Sequence, residues 1–220
     1  QRQMCIRDSY TAEHYDARLE QKGWNTVNFD DSKWNGVGYR AVPSQNVVSQ
    51  QVQPIRAVET IPVKIWKKLN DTTYVFDFAR NMAGVTRIKV SGEEGTVVRL
   101  KHGERLYDNG RVNTSNIDVY HRPVDNSDPF QTDILVLSGK GEDEFMARFN
   151  YKGFRYVEVT STNPLVLNEN NLTAYFVHSD VPQKGMIHTS NALINRLWWA
   201  TNNAYLSLSL IHISEPTRLA

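Results

Sequence analysis

The sequence predicts a mainly β protein: antiparallel β-sandwich structure that gives way to a single α-helix late in the chain. Three observations predict it. Short runs of apolar and β-branched residues recur between clusters of Asn, Asp, Gly and Pro; this rhythm belongs to antiparallel sandwiches. The stretch FNYKGFRYVEV at 149–159 crowds aromatic residues around one Gly and then alternates. The alternation puts Phe154, Tyr156 and Glu158 on one strand face and Arg155, Val157 and Val159 on the other. From Ser190, SNALINRLWWATNNAYL changes to helical spacing.

The elements follow in order. Between Tyr10 and Gln53, Trp24 follows Gly23, and Phe29, Trp34 and Val37 are spaced across an Asp30-Asp31-Ser32 turn signal, which reads as the end of a small sandwich. Around residues 41–56 the pattern lapses into Ser, Gln, Val and Pro, with Pro43 and Pro54 breaking continuity. A domain boundary is expected there, separating 10–53 from a second sandwich over 54–180. Strands are expected at Ile61–Trp66, Thr73–Phe78, Val85–Val90, Val97–His102, Ile134–Leu137, Tyr156–Thr160 and Leu172–Val177. Asp108–Thr132 reads as a long loop, since Asp125–Pro129 is too polar for a strand. Glu142, Asp143 and Glu144 read as a solvated turn. In the helix, Ser190 is the expected N-cap, and Leu193, Ile194, Leu197, Trp198, Ala204 and Tyr205 form its apolar stripe. A helix of roughly fifteen residues is marginal alone and must bury that stripe against partners.

Composition excludes several functions. With 40% hydrophobic and 22% charged residues, the 220-residue chain is long enough for a substantial core. A net charge of +1 gives no electrostatic footprint for nucleic acid. No apolar run is long enough to span a membrane, so neither partner is expected. Residues 1–9, QRQMCIRDS, and 207–220, SLSLIHISEPTRLA, lack the interior's periodicity and resemble translated sequencing-adapter DNA, so both are read as foreign tails. Cys5, the one cysteine, falls in the first of them, which leaves no disulfide, thiol nucleophile or cysteine metal site. The six histidines, at 14, 102, 121, 178, 188 and 212, show no HxxxH or HExxH spacing, and no cofactor is expected. Serine-hydrolase and nucleotide-binding motifs do not occur.

The strings YDARLEQKGW, PIRAVETIPV, VFDFARNMAGV, LKHGERLYDNGRVNTSNI, FNYKGFRYVEV, YFVHSDVPQKG and SNALINRLW occur in this order between Tyr10 and Leu206. Together they resemble bacterial α-L-rhamnosidases of glycoside hydrolase family 78. The resemblance implies β-sandwich modules, the second concanavalin-like, followed by an (α/α)6 barrel that residues 181–206 would begin. It also implies rhamnose-containing glycosides or polysaccharides as substrates and the protein's own helical domain as partner. Hydrolysis would be inverting, with one carboxylic acid protonating the leaving oxygen and a second carboxylate activating water. Both groups belong to the barrel, beyond SNALINRLW, so no catalytic residue is assigned and this chain alone is expected to be inactive. Ala79 and Arg80 stand where the family pattern has Gly-Gln, and Val85 where Trp is common. Ala tolerates positive φ poorly, so that turn is a place to watch.

Candidate substrate-binding residues remain. His102 and Glu104 are expected to share a strand face with Leu100, Arg155 shares one with Val157, and Asp77 lies within VFDF; a charged cluster forms if those faces converge. Such a cluster could contact a sugar, or could tie strands together through ion pairs. Trp24 and Trp34 could stack on sugar rings or anchor a core. The alternative to a rhamnosidase portion is a stand-alone carbohydrate-binding or structural module of another glycosidase. Localisation, periplasmic, secreted or cytoplasmic, is not legible.

Overall fold

The computed structural model describes residues 13–42, 44–46, 48–117 and 129–212. Cys5 with the whole of the expected N-terminal tail, Pro43, His121, the run 125–128 and residues 213–220 of the expected C-terminal tail lie outside them. Among the described residues eleven strands form: β1 His14–Asp16, β2 Ile55–Pro62, β3 Ile65–Asn70, β4 Thr73–Ser91, β5 Val97–Gly103, β6 Arg105–Leu106, β7 Val112–Asn113, β8 Thr132–Val136, β9 Glu142–Met146, β10 Lys152–Ser161 and β11 Leu172–Ser179. Among the same described residues one α-helix, α1, spans Ala192–His212.

The main sheet runs β1-β8-β5-β10-β4-β11-β2, with β3 and β9 also paired to β4. All pairs are antiparallel except β1 with β8. Its centre is β4, a single 19-residue strand over the two separate strands expected at 73–78 and 85–90. The first half of β4 pairs with β3 and β10, the second with β11 and β9. A strand long enough to exchange neighbours midway makes a corner, and the sheet curls about it. The corner is Ala79-Arg80-Asn81, where the otherwise buried strand turns to solvent. At Gly84, just beyond, a Cβ would lie 2.1 Å from the Tyr175 carbonyl oxygen, so β11 can pass only because no side chain is there.

The core lies inside the curl. Tyr74, Phe76, Phe78, Met82, Ile88 and Val90 of β4 meet Phe154, Val157 and Val159 of β10 and Leu172, Ala174 and Phe176 of β11. Full burial of each Phe contributes roughly 1.5–3 kcal/mol. Phe154 does not keep company with Tyr156 and Glu158, as the alternation suggests. The β10–β4 register shifts between Phe154 and Tyr156, and this bulge turns Phe154 to the same core as Val157 and Val159. The acidic run Glu142–Glu144 is likewise no turn. It lies in edge strand β9, where exposed charges on an edge discourage further pairing.

Two further expectations change. Among the described residues of 20–54 no strand or helix forms, while β1, from the same segment, joins the main sheet beside β8. Trp24, Val27, Val37 and Tyr39 are exposed there. The helix continues past residue 206, through the first six residues of the expected C-terminal tail, and Ser209 and Leu210 are buried. Its N-cap is Asn191 rather than Ser190, since Asn191 Oδ1 accepts from the Leu193 amide at 2.9 Å.

Candidate functional site at the sheet–helix junction

The corner of β4 is shaped by side chains flanking it. Asp77 Oδ1 accepts from the Ala79 amide at 2.6 Å, and Ala79 takes the left-handed conformation, φ 58. Arg155 grips the same carboxylate with two hydrogen bonds of 2.8 Å. Burial alone would push Asp77 up. The Arg155 bonds, the Ala79 amide and the charge of Arg155 outweigh it and hold the carboxyl below its ordinary value.

From this corner a polar chain runs to the helix. Arg80 donates to Asn203 Oδ1 and to Glu59 Oε2, both at 2.6 Å. Its guanidinium stacks 4.5 Å from the Phe176 ring centroid and 5.6 Å from that of Trp199. Asn203 Nδ2 donates to the Asn81 carbonyl at 2.9 Å, and Asn81 Nδ2 donates to Glu104 Oε1 at 2.6 Å. The helix therefore faces the sheet mostly with Trp198, Asn202, Asn203 and Leu206, while Leu193, Ile194, Leu197 and Tyr205 of the expected buried stripe are exposed. Hydrogen bonds to Arg80, Asn81 and Ser179 decide that rotation.

Two open cavities flank the chain. One, of about 460 Å³, lies between Arg80, Trp198 and the 181–185 strap. The other, of about 420 Å³, is lined by Asn81, Glu104, Gln131, Tyr151, Asn203 and Leu208 among others.

Below Gln131 lies a closed cluster. His102 is fully buried; its Nδ1 is 3.3 Å from the Gln131 carbonyl oxygen and its Nε2 2.9 Å from Thr86 Oγ1. A carbonyl can only accept, so Nδ1 carries the proton and Nε2 accepts from the Thr86 hydroxyl. Burial lowers the imidazole to about 4, against a smaller opposing effect of Asp133. Lys152 and Asp133, equally buried, pair at 3.1 Å, and Asp133 Oδ1 also accepts from the Glu13 amide at 3.0 Å.

The five candidate residues are thus dispersed. His102 lies in the interior with Leu100, whereas Glu104, past the end of β5, is exposed at the cavity mouth, so the shared face ends with the strand. Arg155 serves the corner. Trp24 and Trp34 are half-exposed in the irregular segment, where Trp34 Nε1 donates to Gln21 Oε1 at 2.8 Å and tilts against Phe29. Arg80, Asn81, Gln131 and Asn203 were not singled out from the sequence; the Ala79-Arg80 departure was the available signal. Among the described residues no three His, Cys, Asp or Glu side chains cluster as a metal site, and no helix is long and apolar enough to cross a membrane.

The pattern of the bacterial α-L-rhamnosidase concanavalin-like domain matches residues 67–178, half of the chain. The chain belongs to that family. Residues 3–59 match the α-L-rhamnosidase N-terminal domain. An α-L-rhamnosidase of Streptomyces avermitilis is 33% identical over 207 residues, 91% of this chain and 19% of the relative. Among solved structures, the α-L-rhamnosidase from Dictyoglumus thermophilum superposes with a TM-score of 0.77 at 34% identity, covering 88% of this chain and 21% of that one. The Streptomyces avermitilis α-L-rhamnosidase complexed with L-rhamnose gives 0.73 at 31% identity, over 88% and 18%. The chain spans about a fifth of the length of the curated relatives it matches.

Proposed function

We propose that this chain is the non-catalytic β portion of an α-L-rhamnosidase. The whole protein removes terminal α-L-rhamnose from glycosides by an inverting, two-carboxylate mechanism, with both carboxylates outside this chain. The match of the concanavalin-like domain over residues 67–178 carries the reading. Residues 10–53 are the end of an N-terminal module whose β1 strand joins the sheet of the concanavalin-like module over 54–180, and the segment from 181 onward leads into the helical catalytic domain.

The β portion holds the first helix in a fixed orientation through Arg80 and Asn203, and turns Leu193, Ile194, Leu197 and Tyr205 outward for further helices to cover. His102 acts from the interior, by holding the Gln131 carbonyl, and Arg155, whose side chain is partly exposed, braces Asp77 at the corner. Glu104, Trp24 and Trp34 are the exposed candidates that are not tied to the corner. The test is hydrolysis of nitrophenyl α-L-rhamnoside by the product of the full reading frame containing this chain. Cleavage with inversion, absent from the 220-residue chain alone, is expected; preference for another glycoside would overturn the reading.

A further inference from the structure

We infer that the cavity between the β4 corner, Gln131 and α1 is a binding site for one neutral, hydroxyl-rich ring, a pyranose. Its volume of about 420 Å³ lies within the ~300–1,000 Å³ of small-molecule sites. Glu104 is the one formally charged side chain in its lining, so anions are disfavoured. The remaining polar lining is amide and hydroxyl: Asn81, Gln131, Asn203, Tyr151 and Ser207. Such groups suit a ligand whose hydroxyls both donate and accept.

Two of them are preset. Asn81 holds Glu104 Oε1 at 2.6 Å, and Asn81 is itself held by Asn203, so the carboxylate is aimed before any ligand arrives. Gln131 is more than nine-tenths buried, and its Oε1 has no hydrogen-bond partner among the described residues. A buried acceptor left unmade costs about 1–3 kcal/mol; this one is covered in the chain as it stands, so a ligand hydroxyl recovers that cost once Gln131 turns its side chain toward the cavity it lines. The Gln131 backbone is held at φ 54, and its carbonyl is engaged by His102, so the side chain is delivered to the cavity wall by a constrained residue. Met82, Ala83 and Ala204 add the apolar wall that a sugar-ring face requires.

The inference rests on the proposed function only for the first sugar to be tried. Two-dimensional amide NMR of this chain titrated with L-rhamnose, D-glucose and methylammonium tests it. Shifts at Ala83, Gln131 and Gly153 with a Kd on the order of 1 mM are expected for at least one sugar. Glu104→Ala, an exposed change, should weaken binding by about tenfold, the loss of one hydrogen bond to a charged group. Gln131→Met, which keeps backbone and length, should weaken it as well. Absence of shifts with either sugar, shifts indifferent to both variants, or binding of methylammonium alone would each overturn the site. A chain that binds no sugar, within a full-length protein that cleaves rhamnosides, removes this inference and leaves the proposed function standing. Sugar binding without rhamnoside cleavage does the reverse.

Discussion

Gln131 separates two polar regions that differ in one respect. On its carbonyl side, His102, Asp133 and Lys152 are buried, His102 held by the Gln131 carbonyl and Thr86 and Lys152 paired with Asp133; on its side-chain side, Glu104, Asn81 and Asn203 surround open space. The closed region contains the residues that look most like chemistry, a His, an Asp and a Lys within a few positions of one another on adjoining strands. Its geometry makes it structural, because every one of those groups is withdrawn from solvent. The open region is built of amides and a surface carboxylate, which attract less notice in a sequence, yet a ligand can reach it. Residue type is therefore a poor guide to function here until burial is known.

The sharpest way to break the contrast is Lys152→Met. Removing one partner of a buried pair strands the other charge, at about 3–5 kcal/mol. Urea unfolding should show that loss, and Lys152→Met with Asp133→Asn should recover part of it. If the single variant unfolds like the parent chain, Lys152 does not hold the closed region together.

His102 gives the next largest effect, through pH. Its folded value of about 4 is below its ordinary 6.5, so the unfolded chain takes up a proton that the folded chain refuses. Stability should hold above pH 6.5, fall between 6.5 and about 4, and level off below, by about 3 kcal/mol in all. Asp77, lowered by Arg155, adds its loss only at more acid pH, below its ordinary 3.8. Denaturant midpoints between pH 7 and 4 measure the first step; the same slope in His102→Gln would assign it to other groups.

In the open region, Arg80→Ala should release the helix. The Asn203 bond to a charged donor is worth about 1.5–3 kcal/mol. The ion pair to Glu59, whose side chain is 52% exposed, adds little. Amide exchange should quicken across 195–206 in Arg80→Ala while β4, β10 and β11 stay protected, and Glu59→Ala should change almost nothing. Equal effects of the two substitutions would mean that charge pairing, not the Asn203 bond and ring stacking, docks the helix.

These regions were unequally legible in the sequence. The β-to-α switch and strands β5 and β11 follow from period and turn residues, because both features are local. The corner was hidden, since Ala79-Arg80-Asn81 reads as a break between two strands, and only the exchange of neighbours along β4 shows that it is one. The bulge that moves Phe154 into the core is set by pairing with Met82 and Asp77, residues distant in sequence. The helix rotation was misread because an apolar stripe normally faces inward, and here Arg80 and Asn81 supply polar partners that no helical periodicity reveals.

Ala79 gives the smallest and most specific test. Its φ of 58 costs an L-residue about 1 kcal/mol relative to Gly, and that cost is sustained by the Asp77–amide bond and the Arg155 fork behind it. Ala79→Gly should therefore raise stability by up to about 1 kcal/mol, although substitution to Gly ordinarily loosens a strand. The gain should shrink if Arg155→Met is introduced first, because a corner no longer clamped by Asp77 can relax toward a conformation Ala prefers. A destabilising Ala79→Gly in the otherwise unaltered chain would mean that the corner is not strained, and that Arg80 is aimed at the helix by the strand alone.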